Sequence, residues 1–118
     1  MDTVLDWIAL AQGIYFGLTG IWPLVHLPSF LAVTGDKVEK WLVRTVGALI
    51  AIIAGVLVVG ALRSSVDLEV ILLAVGSAAA LGLVDVIYVS VGRIPPIYLA
   101  DAAAEAALLA AWAVAGAF

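Results

Sequence analysis

Cysteine is missing from this chain, and it has a single histidine, His26. No disulfide, thiolate metal site, cysteine nucleophile or iron–sulfur cluster can therefore form. Charge is scarce too. Five Lys and Arg and nine Asp and Glu leave only 12% of 118 residues charged, about half the share usual in soluble domains. The few cations form no basic stripe, so no surface for nucleic acid is implied. No linker or low-complexity segment interrupts the chain, which reads as one domain over residues 1–118. No Lys or Arg precedes the first apolar run after Met1-Asp2-Thr3. The basic start of a signal peptide is thus lacking, and that run is expected to be kept as a span.

What fills the chain is apolar: 66% of residues are hydrophobic and the mean hydropathy is +1.27. These values describe an integral membrane protein. Four stretches, about 4–26, 41–62, 68–91 and 97–117, are long enough as helices to cross a hydrocarbon core of about 30 Å. The expected fold class is all-α, an antiparallel up-down-up-down four-helix transmembrane bundle, because the short turns around Arg63-Ser64-Ser65 and from Gly92 to Pro96 force neighbours to run antiparallel. The longer connection, 27–40, mixes Leu27, Phe30, Leu31 and Val33 with polar residues. It is expected to lie in the membrane interface as a short helix or half-turn and to end in a Thr34-Gly35-Asp36 turn that caps the second span. Trp22 and Trp41 read as headgroup anchors, and Trp7 and Trp112 as markers near the opposite interface.

Orientation follows from the cations. Lys37, Lys40, Arg44 and Arg93 lie on the side of the first and third connections, whereas Arg63 stands alone opposite, among Asp2, Asp6, Asp67 and Glu69. The positive-inside bias places both termini away from the cytoplasm, in a multi-pass protein of the cell membrane, here a bacterial inner membrane. Small residues predict the packing. Gly13, Gly17 and Gly20 form one stripe, Gly47, Ala51 and Gly55 another, and alanines thin the fourth span, so that backbones can approach closely.

The polar residues are concentrated. Gln12, Tyr15, Thr19, Trp22 and His26 fall on one face of the first span at steps of three and four. Asp85 and Tyr88 share a face of the third, Asp101, Glu105 and Trp112 one of the fourth, and Arg44 begins the matching face of the second. Counted at 1.5 Å per residue, Asp85, Asp101, Glu105 and Arg44 all lie roughly 8–13 Å inside one end of the bundle, with His26, Lys40 and Arg93 at its rim. A carboxylate within a span costs a few kcal/mol and needs a partner, a proton or a task.

Four readings follow. Arg44 could pair with Asp85 or Asp101 as polar glue that only specifies helix packing. The acids could line a proton- or ion-linked pocket for a small solute, since Asp101 and Glu105, one turn apart, cannot easily both ionise. His26 with the acids could serve a metal or an enzyme, but there is no H-E-x-x-H and no second histidine, and nearby cations oppose a bound metal. Finally, Arg44, Arg93, Lys37 and Lys40 could hold an anionic headgroup. The candidate binding and proton-exchange residues are Asp85, Asp101, Glu105, Arg44, His26, Tyr88, Gln12, Tyr15 and Arg93.

In the run from Thr19 to His26, in Thr34-Gly35-Asp36-Lys37 leading to Trp41-Leu42-Val43-Arg44, and in Asp85-Val86-Ile87-Tyr88 with Tyr98-Leu99-Ala100-Asp101, the chain resembles a group of small uncharacterised bacterial four-span membrane proteins. That resemblance implies the fold and no activity. A looser likeness in size to small multidrug transporters and dual-topology fluoride channels stops at the motifs, because the first span has no central glutamate and the charge bias is strong. The expectation is a binding or transport protein of the lipid bilayer that needs no metal or cofactor and works as a homo-oligomer. A helix-pairing subunit is the alternative, and a small membrane enzyme or a headgroup- or metal-binding protein the second.

Overall fold

A computed structural model describes residues 2–118, and among these there is no strand. Five helices follow one another: α1 (Val4–Val25), α2 (Leu27–Thr34), α3 (Lys40–Leu62), α4 (Leu68–Ser90) and α5 (Tyr98–Val114). Three of them, α1, α3 and α4, are long and apolar enough to cross a membrane. The fourth apolar stretch gives a shorter helix than its 97–117 window, since α5 has 17 residues, about 25 Å. It starts late because Tyr98, Leu99 and Ala100 donate to the carbonyls three residues back, at Pro95, Pro96 and Ile97, a tight turn that the two prolines impose.

Local chemistry sets the ends. Thr3 caps α1: its hydroxyl accepts from the Asp6 N–H at 3.3 Å, while Asp6 Oδ2 accepts from the backbone of Thr3 and Asp2 at 3.1 and 2.8 Å. The capping box explains why a carboxylate 2% exposed is tolerated there. Pro23 lies inside the last turn of α1, which continues to Val25, and packs against Gly47. The first part of that connection, residues 27–34, forms the short helix α2, capped by His26, whose ring accepts from the Ser29 N–H at 3.2 Å. Gly35 closes α2 with φ +94° and ψ 148°, a conformation reserved for glycine. Here the structure corrects the sequence reading: the Thr34-Gly35-Asp36 turn terminates α2 and does not cap α3, whose N-cap Glu39 makes no side-chain capping bond and instead accepts from the Trp41 indole N–H at 2.8 Å.

α1 packs along α3 and α4 along α5, and each pair meets its partner pair less extensively than it meets itself. The α1–α3 seam is closed by glycine. A Cβ on Gly20 would lie 2.7 Å from the Gly47 carbonyl oxygen, and one on Gly47 2.6 Å from that of Gly20. Gly13 is as tight, against Val58 and the Ala54 carbonyl. Gly55 is not part of the seam and meets nothing within 4 Å. The buried stripe on α3 runs by sevens, through Gly47, Ala54 and Ala61; the expected four-residue row stays in contact at Ala51, whose backbone N would lie 2.8 Å from a Cβ on Gly20, and drifts off by Gly55. Most other large apolar side chains point outward, as they must where the surroundings are lipid.

At the end away from α2, Ala9, Leu57, Ala61, Ala74 and Trp112 form the apolar core. Trp112, expected near an interface, is fully buried there. Its position follows from its indole N–H, which donates to Gln12 Oε1 at 2.8 Å, while Gln12 Nε2 donates to the Ala74 carbonyl at 2.9 Å. One amide thereby ties α1, α4 and α5 together and satisfies its own buried atoms.

Candidate functional site

Toward the α2 end the two helix pairs diverge and leave a cavity of about 420 Å³. Its wall is mostly apolar and aromatic: Trp22 and Pro23 from α1, Phe30 from α2, Val43, Val46 and Ile50 from α3, Leu81 from α4, Ile97 and Tyr98 before and in α5. Its polar floor is acidic, with Asp85, Asp101 and Glu105 together and Tyr15 beside them. The volume lies in the range of small-molecule sites. Beyond it, toward the far end, lie the Gln12 bridge and the apolar core.

The sequence places the acids by helix register. Asp85 lies one turn beyond Leu81, and Glu105 one turn beyond Asp101, each pair on one face. Gly82 brings α5 close, since a Cβ there would sit 3.3 Å from Glu105 Cβ. Asp85 and Glu105 line the same cavity as Asp101. Tyr15 donates its hydroxyl to Asp101 Oδ1 in a short hydrogen bond. Glu105 is only 1% exposed and Asp85 5%. Among the described residues no N–H or O–H donor reaches either Glu105 oxygen or Asp85 Oδ2. Buried carboxylate oxygens rarely stay unpaired, and each such group costs of order 1–3 kcal/mol or more. The carboxyls that share the cavity floor can donate to one another only if one carries a proton.

The other candidates go elsewhere. Arg44 is exposed and outside the cavity, roughly a third of a helical turn round from Val43, Val46 and Ile50. The expected meeting of Arg44 with Asp85 or Asp101 is therefore absent. The register of α3 is fixed by Gly47 against Gly20, and that seam turns Arg44 outward. Arg93 is also exposed, and Ile94 takes its place on the wall. Tyr88 shares Asp85's face but lies one turn nearer the end of α4, beyond the wall, and is 45% exposed. His26 is exposed and engaged in capping, its Nδ1 2.7 Å from Ser29 Oγ. Gln12 is buried in the bridge described above and does not line the cavity.

Sequence reasoning missed the part played by α2. The helix crosses the mouth of the cavity, and Gly35 abuts Pro95 of the α4–α5 turn, where a Cβ would lie 2.8 Å from Pro95 Cγ. Trp22 is half-buried, making an edge contact to Phe30 at 5.4 Å and donating to Ser29 Oγ at 2.8 Å. It is thus a wall residue as well as an interfacial one. Lys37 lies at the mouth. Its ammonium donates to Thr34 Oγ1 and to the carbonyls of Thr34 and Gly35 at 2.9, 3.3 and 2.8 Å, and stands 5.4 Å from the Phe30 ring and 5.2 Å from that of Tyr98. The available signal was the spacing of Phe30 and Thr34, one turn apart on a short helix, with Lys37 three residues further on. It was read as interfacial because nothing in the sequence says what α2 covers.

No family model, curated protein or solved structure matches the chain. Function must be read from the cavity alone. Among the described residues no three His, Asp or Glu side chains are arranged as a metal cage.

Proposed function

We propose that the protein is a four-span membrane bundle, with α5 as its last crossing, that binds a small solute in the α2-end cavity and exchanges protons at its carboxyls, with transport as the use. One observation carries this reading: Glu105, 1% exposed, lines the cavity, and among the described residues no donor satisfies either of its oxygens. Three carboxyls in reach of one another and of apolar walls cannot easily all be charged at once. A proton or a ligand cation resolves the conflict, and exchanging one for the other is the elementary step of a proton-coupled binder.

The cations support a cavity that faces the cytoplasm. Lys37, Lys40, Arg44 and Arg93 all belong to the cavity end and Arg63 to the other, which puts both termini outside. Four helices enclose little space, so a homodimer in the bilayer is the proposed working unit. The resemblance to uncharacterised bacterial four-span proteins agrees with this architecture and adds nothing on substrate.

The test is proton movement in proteoliposomes loaded with a pH-sensitive dye and exposed in turn to phenethylamine, acetate and glucose. Wild type should move protons with at least one solute, and Glu105→Gln should lose that movement while keeping its helical circular dichroism. Proton movement unchanged in the variant would end the reading.

The helix-pairing alternative draws on Gln12, whose two bonds show how polar glue looks in this fold. Asp85 and Glu105 differ from it by having no donor.

A further inference from the structure

Resting on that binding reading, we infer that the cavity takes an organic monocation, an ammonium group on a small apolar body, with the ammonium seated against Glu105 and Asp85. Three classes of solute compete for a 420 Å³ space. An anion would have to approach three carboxyls, and the one cation in the lining, Lys37, has its three hydrogens committed to Thr34 and Gly35 oxygens. A neutral apolar solute would fill the wall but leave the Glu105 oxygens and Asp85 Oδ2 as unpaired as before. An ammonium group supplies the missing donors and an opposite charge at once.

The aromatic wall argues the same way. Ring faces attract cations, and the chain already displays this chemistry: the Lys37 ammonium rests near the rings of Phe30 and Tyr98. A ligand ammonium would pass this position on its way in, with its apolar body left against Trp22, Val46 and Ile50. The volume limits the body to a single ring or a short alkyl chain.

Seating requires a balance of charge. When the ammonium pairs with a carboxyl that held a proton, that proton leaves to water, so binding one cation releases up to one proton. The groups that face Glu105 and set this exchange are Asp101 and Tyr98 from α5, Asp85 from α4, Tyr15 from α1 and Lys37 from the α2 end; α3 presents only Leu42, Val43, Val46, Gly47 and Ile50. Lower pH fills the carboxyls with protons and should weaken binding.

Three probes with one skeleton and three charges test the inference: phenethylamine, 2-phenylethanol and phenylacetate, titrated calorimetrically into the purified protein in detergent at pH 8 and pH 6. The amine should bind about tenfold or more tighter than the alcohol, as a charge-assisted bond predicts, and more weakly at pH 6. Titrations in buffers of different ionisation heat should show proton release. Glu105→Gln should cost the amine about tenfold and leave the alcohol within about twofold; should that variant fail to fold, Asp85→Asn serves the same comparison. Equal or tighter binding of the alcohol or phenylacetate would overturn the cation assignment and leave the binding reading standing. No binding of any probe to folded protein would overturn both.

Discussion

Two buried polar residues show what burial means here. Gln12, fully buried, has partners for its amide oxygen and nitrogen on two other helices; Glu105, equally buried, has none. The first is explained by stability alone. Gln12→Leu should strand the Trp112 N–H in the apolar core and cost about 1–3 kcal/mol, seen as a lower melting temperature in detergent. Arg44→Gln should stay within about 0.5 kcal/mol, because the guanidinium is exposed and pairs with neither acid. A large loss there would restore the idea that Arg44 holds the helices together. At this scale the sequence was a good guide to which side chains are buried in register: Asp85, Asp101, Glu105 and Tyr15 meet as helical spacing requires. It could not say where Arg44 points, because on a helix that is apolar nearly all round, periodicity has no contrast to set the phase.

Among the elements, glycine decides the close contacts. Gly47→Ala would push a Cβ within 2.6 Å of a backbone oxygen that cannot yield. Prying α1 from α3 should cost about 1–3 kcal/mol, whereas Gly55→Ala, with open space around it, should leave melting unchanged or raise it by up to about 1 kcal/mol. Equal effects of the two would contradict the seven-residue seam. Gly35→Ala combines a forbidden backbone angle with a clash against Pro95. It should loosen α2 from the mouth and speed proteolysis between residues 34 and 40, with the melting of the remaining helices little changed. α2 itself was legible only as an amphipathic stretch. Its role depends on Pro95, some sixty residues later, and no local pattern carries that information.

For the whole molecule, the extents of 43 × 28 × 18 Å match a bilayer with its headgroups along the longest axis, about 40–45 Å. The absence of cysteine makes the topology directly measurable. Single cysteines at Asp36 and Arg93 should react with an impermeant maleimide from one side of the membrane, and cysteines at Ser65 and Phe118 from the other. If α5 does not cross, Phe118→Cys will label from the same side as Arg93→Cys.

The tight seams within each helix pair and the slighter contact between pairs give the molecule two stiff ribs and a compliant joint. The Gln12 and Trp112 bonds cross between the pairs at the far end, so a change in the angle between the ribs would open the α2 end and leave each rib intact. Anything that wedges between the acids spreads the jaws, and the tether from Gly35 to Pro95 is the part that must give first.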